Sequence, residues 1–274
     1  MPDALLAALI KRLTTTTFGR PAESRWLGQV DSTNLIARAV ARAGAPEGTL
    51  IVAEEQLAGR GRLGRRWQAP YGSSLLVSLL LRPPPTVSPA LLPFVAAVAV
   101  AETLEQLFVL QPALKWPNDV QVGGRKLVGI LAESDYIGDR LDAVVVGVGL
   151  NVNIAPDLLA PLAAPATSLL VELGRPVARV PLLATFLARW EQRYHALLAG
   201  ESPLPAWRRR APMLGAPVEV RPAEGPPWAG VALDVTASGA LLVRDAGSTV
   251  RTVHAADVSV RGAGPRSTLH EENG

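Results

Sequence analysis

The character of the chain changes at Pro212, and this change limits how the chain can fold. Before Pro212, apolar strand-like runs alternate with long helical segments, whereas the following part has short valine-rich runs between proline and glycine turns. Short strands separated by turn residues at intervals of about 8–12 residues are typical of a small β-barrel. We therefore predict a large unit over 25–211 and a small barrel over 212–262, flanked by an N-terminal extension at 1–24 and a disordered tail at 263–274.

The larger part is predicted to be an α+β unit, because strand and helix patterns follow one another along it. Its 141–149 run is apolar throughout, as expected of a central buried strand. The segments expected as strands are 49–53, 74–81, 113–116, 120–122, 126–133 and 141–149, followed in the small unit by 217–221, 228–235, 240–244 and 249–253. One helix is expected to begin at Asp31, a second to cover about 89–108 and a third to cover about 180–199. Residues 1–24 should form a short helix and a polar linker.

Composition excludes several classes of protein. The 274 residues include no cysteine, which rules out disulfides, thiolate catalysis and cysteine-ligated metals and fits a reducing compartment. The longest apolar run, 90–101, has 12 residues, whereas a membrane span needs about 20. The N-terminus lacks the basic and then apolar layout of a secretory signal. We therefore expect a cytoplasmic protein without a membrane segment.

Positive charge is concentrated in one glycine-rich loop. Four arginines lie within seven residues, namely Arg60, Arg62, Arg65 and Arg66. The net charge of +3 would be −1 without them. Residues 59–64 match G-x-G-x-x-G, but no helical pattern follows, so a dinucleotide-binding turn is not predicted. Guanidinium groups would instead bind phosphate, and Trp67 offers a flat face for a base. A solvated basic loop is the alternative.

Three further segments place small and polar residues near strand ends. They are Lys115-Trp116-Pro117-Asn118-Asp119, Arg125-Lys126-Leu127-Val128-Gly129-Ile130 and Gly147-Val148-Gly149-Leu150-Asn151-Val152-Asn153. Together with Asp31-Ser32-Thr33-Asn34 and the 56–67 loop, their order and spacing resemble the bacterial biotin–protein ligases. Residues 213–261 resemble the SH3-like C-terminal barrel of that family, so that the resemblance covers about 25–262. The chain departs from the family at 254–259, where a glycine usually precedes the acidic residue.

The resemblance implies a fold and a reaction. The fold is a mixed β-sheet catalytic domain flanked by helices, of the class II synthetase-like or lipoate ligase-like type. In the reaction, the biotin carboxylate attacks the α-phosphate of ATP with Mg²⁺ present, and biotinyl-5′-AMP then transfers biotin to a lysine of a biotin carboxyl carrier protein domain. Because no segment of about 60 residues precedes the catalytic domain, we expect the ligase-only form, which does not bind DNA.

The resemblance also assigns site residues one by one. The residues expected to bind biotin are Ser32, Thr33, Asn34, Gln56, Gly59, Arg60, Lys126, Gly129 and Gly147. Those expected to bind ATP are Arg60, Arg62, Arg65, Trp67, Asn118, Lys126 and Asn151. Catalytic roles fall to Lys126, Arg62 and Asp119. Gly149 would join Gly129 and Gly147 in the floor of the site, and the loop at 59–67 would become ordered over the ligand. The sequence identifies no direct metal ligand.

Three other functions compete with this interpretation. One is a biotin-responsive repressor, which the missing N-terminal DNA-binding domain does not favour. A lipoate or octanoate ligase of the same superfamily would have a long apolar tunnel in place of polar groups that suit a urea ring. A nucleic-acid-binding module would use the arginine loop, although the near-zero charge elsewhere does not favour it. The oligomeric state is expected to be monomer or homodimer, with the strands at 49–53 and 141–149 as candidate dimer edges.

Overall fold

The computed structural model describes residues 2–159, 165–222, 225–255 and 258–262. The chain divides into two compact units between Arg210 and Ala211. The sequence prediction placed this boundary between 211 and 212. The tail predicted at 263–274 lies outside the described residues.

A seven-stranded sheet organises the first unit. Its strands are Arg25–Val30 (β1), Leu50–Gln56 (β2), Ser74–Leu81 (β3), Ala113–Lys115 (β4), Asp119–Val122 (β5), Arg125–Ile137 (β6) and Arg140–Asn151 (β7). The order across the sheet is β1-β2-β3-β7-β6-β5-β4. Strands β1 and β2 run parallel, whereas the other neighbouring strands run antiparallel. The predicted α+β fold with a mixed sheet is therefore confirmed.

Helices flank this sheet. They are Pro2–Ile10 (α1), Thr33–Arg42 (α2), Leu92–Phe108 (α3), Pro156–Leu159 (α4), Leu169–Leu173 (α5), Arg179–Leu198 (α6) and Leu204–Arg208 (α7). The segment 89–108 is long and apolar enough to cross a membrane by length and composition alone. Most of it is buried inside the unit, where α3 packs against α6. A core helix passes the same test, so the segment is weak evidence for a membrane span.

On the face of the sheet that α2 covers, large side chains give way to small ones towards the N-terminus of the helix. Ala37 of this helix packs in a cluster with Leu80 of β3 and Val145 of β7. Side chains on the same face of a strand recur every second residue. Ser78 and Gly147, which pair across β3 and β7, therefore follow on the face that α2 covers. The sheet thus offers a surface of small residues beside the N-terminus of α2.

The strands suggested as dimer edges lie inside the sheet. Strand β2 pairs with β1 and β3, and strand β7 pairs with β3 and β6. Their backbone groups are already used on both sides, so the expectation that 49–53 or 141–149 forms a dimer edge is wrong. The edge strands of this sheet are β1 and β4.

Residues 11–24 are packed into the first unit and do not form the polar linker predicted from sequence. Phe18 is fully buried and meets the ring of Trp190 edge-on. Glu191 of α6 accepts three hydrogen bonds of 2.7–2.9 Å from the backbone N–H groups of residues 16–18. Burial raises the pKa of Glu191, but these donors more than offset it, so the pKa lies below its ordinary value.

The second unit is an antiparallel sheet. Its strands are Pro217–Pro222 (β8), Trp228–Val235 (β9), Leu241–Asp245 (β10), Val250–Val253 (β11) and Val258–Gly262 (β12). They follow the order β11-β10-β9-β8-β12, which confirms the prediction of a small all-β unit. Strand β12 is an addition to the four predicted strands. Residues 256 and 257, within the segment that departs from the family, lie outside the described residues.

We expect Glu191→Ala to lower the free energy of unfolding by about 1–3 kcal/mol at neutral pH, because three N–H donors lose their acceptor. The carboxylate's contribution is present above its unfolded pKa near 4.5 and is lost as the pH falls through the lower folded pKa. Urea unfolding should therefore show a difference between the two proteins that narrows below this pH. Glu191→Gln retains an acceptor oxygen and should lose less stability. A difference that stays constant with pH would contradict this account.

Candidate active site

The arginine loop forms a small hairpin. Trp67 N–H donates to the Gly59 carbonyl at 2.9 Å, and Gly61 N–H donates to the Arg65 carbonyl at 2.7 Å. Leu63 turns the chain with a left-handed φ of 55°. A Cβ on Gly59 would collide with the Trp67 carbonyl, so this position requires glycine. The hairpin leaves Arg60, Arg65 and Arg66 exposed and Arg62 half-buried.

Trp67 lies on a floor made by two paired glycines. Gly129 of β6 and Gly149 of β7 are directly opposite each other in the ladder. A Cβ on Gly149 would lie 2.5 Å from Trp67 Cε2, and a Cβ on Gly129 would lie 2.7 Å from Trp67 Cζ3. The indole Nε1 is buried and has no hydrogen-bond partner among the described residues. The predicted glycine floor is thus occupied by a protein side chain at these two positions, and Gly147 is covered by Asn34.

Lys126, Asp119 and Arg62 form a charged cluster beside this floor. Lys126 Nζ lies 2.6 Å from Asp119 Oδ1 and 5.5 Å from the centre of the Trp67 ring. The contact with Asp119 is an ion pair by distance, without the alignment of a hydrogen bond. Burial lowers the pKa of the Arg62 guanidinium; the charge of Asp119 opposes this shift and that of Arg65 adds to it. The cluster therefore holds partly desolvated cations around one carboxylate.

The backbone of Lys126 is fixed on both sides by the segment that follows the undescribed residues 160–164. Lys126 N–H donates to the Pro165 carbonyl, and Thr167 N–H donates to the Lys126 carbonyl, both at 2.9 Å. Asn151 Nδ2 donates to the Thr167 carbonyl at 2.9 Å. These bonds hold the lysine at the start of β6 in a defined position.

The two asparagines predicted to bind nucleotide are used by the fold. Asn118 Nδ2 donates to the Ile130 carbonyl at 2.7 Å, just as Asn151 Nδ2 bonds to the segment at 165–167. Their amide N–H groups therefore stabilise the strand ends around the floor. A ligand would meet the second N–H or the carbonyl oxygen of each amide.

A second, neutral cluster lies at the N-terminus of α2. Gln56 Oε1 lies 2.8 Å from Thr33 N and 3.0 Å from Thr33 Oγ1. Ser78 Oγ lies 2.7 Å from Thr33 Oγ1 and 2.6 Å from Asn34 Oδ1. Asn34 Nδ2 donates to Glu133 Oε2 at 2.7 Å. Thr33, Asn34 and Gln56 are thus brought together as predicted.

Sequence reasoning missed Ser78, a member of this neutral cluster, and Glu133, the carboxylate that borders it. Ser78 and Glu133 belong to no motif, and the available signal for Ser78 was a lone hydroxyl in the apolar run Ser-Leu-Leu-Val-Ser-Leu-Leu-Leu. Ser32 is buried beside the cluster as the N-cap of α2, but its side chain makes no capping hydrogen bond. The exposed side chains of Arg60 and Arg65 are not part of either cluster. The neutral and charged clusters adjoin, since Gly59 abuts both Gln56 and Trp67.

Fold and site together define a protein that presents partly desolvated cations next to a cluster of neutral, hydrogen-bonding side chains. The Biotin/lipoate A/B protein ligase family model matches residues 26–151, and the Biotin protein ligase C terminal domain model matches residues 213–261.

Individual relatives show which members of this family the chain resembles. The biotin--[acetyl-CoA-carboxylase] ligase of Paracoccus denitrificans is 38% identical over 227 residues, which cover 80% of this chain and 92% of the relative. The bifunctional ligase/repressor BirA of Bacillus subtilis is 35% identical and is covered over 72% of its length, with 84% of this chain aligned. The solved biotin protein ligase from Aquifex aeolicus in complex with biotin and ATP is 27% identical, with a TM-score of 0.74, over 88% of this chain and 100% of that one. The chain belongs to the biotin protein ligase family and is therefore a ligase.

We expect Gly149→Ala to displace the Trp67 indole, because the new methyl group would lie within 2.5 Å of the ring. Acrylamide quenching of Trp67 fluorescence, obtained as the difference between each protein and its Trp67→Phe counterpart, should increase. Gly28→Ala in β1 is a matched control, since its Cβ would meet only the Tyr71 hydroxyl at 3.7 Å. Equal quenching in the two alanine variants would show that Trp67 does not rest on Gly149.

Proposed function

We propose that the protein activates biotin with ATP and transfers it to a lysine of a biotin carboxyl carrier protein domain. The observation that carries this proposal is the Lys126–Asp119–Arg62 cluster, which adjoins the neutral cluster of Thr33 and Gln56. A substrate with an anionic tail and a neutral ring matches this division, because the tail would meet the cations and the ring would meet neutral polar groups.

In the first step, a biotin carboxylate oxygen attacks the α-phosphorus of ATP, and the bond to pyrophosphate breaks. Both reactants are anions, so fixed cations are needed to lower their repulsion. Lys126 would bridge the carboxylate and the α-phosphate, with Arg62 on the same oxygens. Arg60 would lie near the carboxylate and Arg65 would bind the pyrophosphate portion. Trp67 would stack on adenine.

In the second step, the amine of the acceptor lysine attacks the acyl carbon of biotinyl-5′-AMP. The bond from carbon to the phosphate oxygen breaks, AMP leaves, and the nitrogen loses a proton. Asp119 would orient Lys126 in the first step and the incoming amine in the second. No cysteine, histidine or other protein nucleophile is required, since the mixed anhydride is itself the activated species.

Mg²⁺ would enter with the nucleotide. Among the described residues, no group of three or more histidine, cysteine, aspartate or glutamate side chains could hold a metal ion. Mg²⁺ bound to substrate phosphates needs only one or two carboxylates from the protein, and Asp119 fits that requirement. The ion would neutralise phosphate charge during the first step.

The direct test is an incubation with biotin, Mg²⁺ and labelled ATP, scored for biotinyl-5′-AMP and then for transfer to a carrier domain. Lipoate and octanoate are offered in parallel. Adenylate formation from biotin supports the proposal, whereas adenylate formation from lipoate or octanoate alone would replace it with the rival ligase activity.

We expect Lys126→Ala to lower the rate of adenylate formation by at least about 10²-fold, because it removes a cation aimed at developing charge. The variant should remain folded, since the charge of Arg62 still acts on Asp119, and circular dichroism checks this. Lys11→Ala, at an exposed lysine, is the matched control. A loss below tenfold would remove Lys126 from the reaction centre.

Ligand binding should protect the 59–67 hairpin from trypsin. Biotin and ATP together would draw Arg62 and Arg65 onto the nucleotide and close the hairpin over it. Cleavage in the hairpin should therefore slow when both ligands are present, as measured by mass spectrometry of early fragments. Cleavage after Arg140, exposed at the β6–β7 turn, provides the internal reference. Equal slowing at both sites, or none at the hairpin, would count against closure.

A further inference from the structure

Lys126 lies where the sheet gives its own strand little support. The pairing of β6 with β7 begins at Val128, which lies opposite Leu150. Towards β5, Lys126 and Val128 face two consecutive residues, so that the residue between them forms a β-bulge. A bulge disrupts the ladder and bends the strand locally. The direction of the Lys126 side chain therefore depends on the contacts that replace the regular ladder.

The segment at 165–167 supplies these contacts. It forms an isolated parallel bridge to Lys126 at Ala166. The Pro165 carbonyl accepts from Lys126 N–H, and Thr167 N–H donates to the Lys126 carbonyl. Both backbone groups of Lys126 thus bond to this segment, so the position of the lysine is only as well defined as that of Thr167.

Glu172 of α5 holds Thr167 in place. Thr167 Oγ1, in a completely buried residue, donates to Glu172 Oε1 at 2.5 Å. The same carboxylate oxygen accepts from Nη2 of Arg125, the residue before Lys126, at 2.9 Å. The Arg125 side chain is 44% exposed, so this ion pair contributes little. The bond to the Thr167 hydroxyl is therefore the principal tie between Glu172 and the start of β6.

The Glu172 carboxylate is itself fixed by bonds that do not involve Lys126. Leu170 N–H of α5 donates to the Val152 carbonyl at 2.8 Å, just beyond the end of β7. The hydroxyl of Ser168, the N-cap of α5, donates to the Ile154 carbonyl at 2.7 Å. Helix α5 is thus attached to the chain that leaves the sheet. Glu172 therefore offers a fixed point against which Thr167 is held.

We propose that Glu172 is a positioning residue, which aims Lys126 at the reacting oxygens through its hydrogen bond to Thr167. This inference rests on the proposed function and adds a residue to it. A displacement of about 1 Å at a catalytic group can lower a rate by about 10²-fold. A residue that acts by aiming a cation should therefore affect the chemical step more than the binding of biotin.

The first test measures kcat and the KM for biotin in adenylate formation by the full chain. We expect Glu172→Ala to lower kcat by at least about fivefold and to change the KM by less than about twofold. Thr167→Val, which removes the hydroxyl donor, should do the same. A raised KM with an unchanged kcat would overturn the positioning role.

Conservative variants at the same two positions should restore the rate. Glu172→Gln keeps an acceptor oxygen and Thr167→Ser keeps the hydroxyl donor, so both should have a kcat within about twofold of wild type. A loss in Glu172→Gln equal to that in Glu172→Ala would assign the effect to the ion pair with Arg125 and overturn the route through Thr167.

A double-mutant cycle with Lys126 separates aiming from general damage to the site. In Lys126→Ala, the backbone bonds to the segment at 165–167 remain, but no ammonium group is left to aim. Adding Glu172→Ala should therefore lower the single-turnover rate of Lys126→Ala by less than about twofold. A larger further loss would show that Glu172 affects the rate by another path, and the inference would fail.

Amide hydrogen exchange gives a readout that does not depend on activity. In Glu172→Ala, the N–H groups of Lys126 and Thr167 should exchange at least about fivefold faster, whereas Leu170 N–H should keep its protection. Asp157→Ala removes an exposed carboxylate from α4 and is the matched control, which should leave kcat and all three amides unchanged. Unchanged exchange at Lys126, or equal acceleration at Leu170, would contradict local positioning by Glu172.

The outcomes separate this inference from the proposed function. If wild type forms no biotinyl-5′-AMP, the proposed function fails. If wild type forms the adenylate and folded Glu172→Ala retains its kcat, the role of Glu172 is overturned and the proposed function stands.

Discussion

The close approach of the Trp67 indole to the Gly129–Gly149 pair is the constraint on which the rest of the site depends. A side chain at either glycine would occupy the space of the indole. Because Trp67 is also hydrogen-bonded to Gly59, the same contact fixes the base of the hairpin that carries the arginines. The glycine pair therefore fixes where the hairpin, and with it the arginine side chains, lies relative to the sheet. Catalysis of a reaction between two anions depends on such placement more than on the number of charges.

The charges at the floor are balanced before any substrate arrives. Asp119 pairs with Lys126 and its charge also acts on Arg62, which burial partly deprives of water. Buried or half-buried cations without a partner would destabilise the fold. In the proposed reaction, phosphate and carboxylate oxygens would compete with Asp119 for these cations. In the adjoining neutral cluster, Thr33 and Gln56 offer uncharged polar groups, which suit an uncharged ring better than any ion would.

Local patterns predicted the main elements of the fold but not all of them. The apolar run at 141–149 and the long helix before Val109 were clear because their apolar character extends over many residues. Strand β1 contains Gly28 and a single fully buried side chain, Trp26, so its pattern is weak, and it is ordered by pairing with β2. The short helices α4, α5 and α7 are too brief for periodicity and depend on tertiary packing.

By itself, the sequence determined which chemical groups the site contains: the arginines and Trp67 of the loop, Lys126 beside Asp119, and the glycines at the strand ends. It did so because each motif is a short, continuous stretch of chain. Only the tertiary structure decided how these groups are used. It engages the amides of Asn118 and Asn151 in the fold, and it brings Ser78 and Glu133, which lie 44 and 99 residues from Asn34, into one chain of hydrogen bonds. Those bonds depend on contacts between distant strands, which no local pattern specifies.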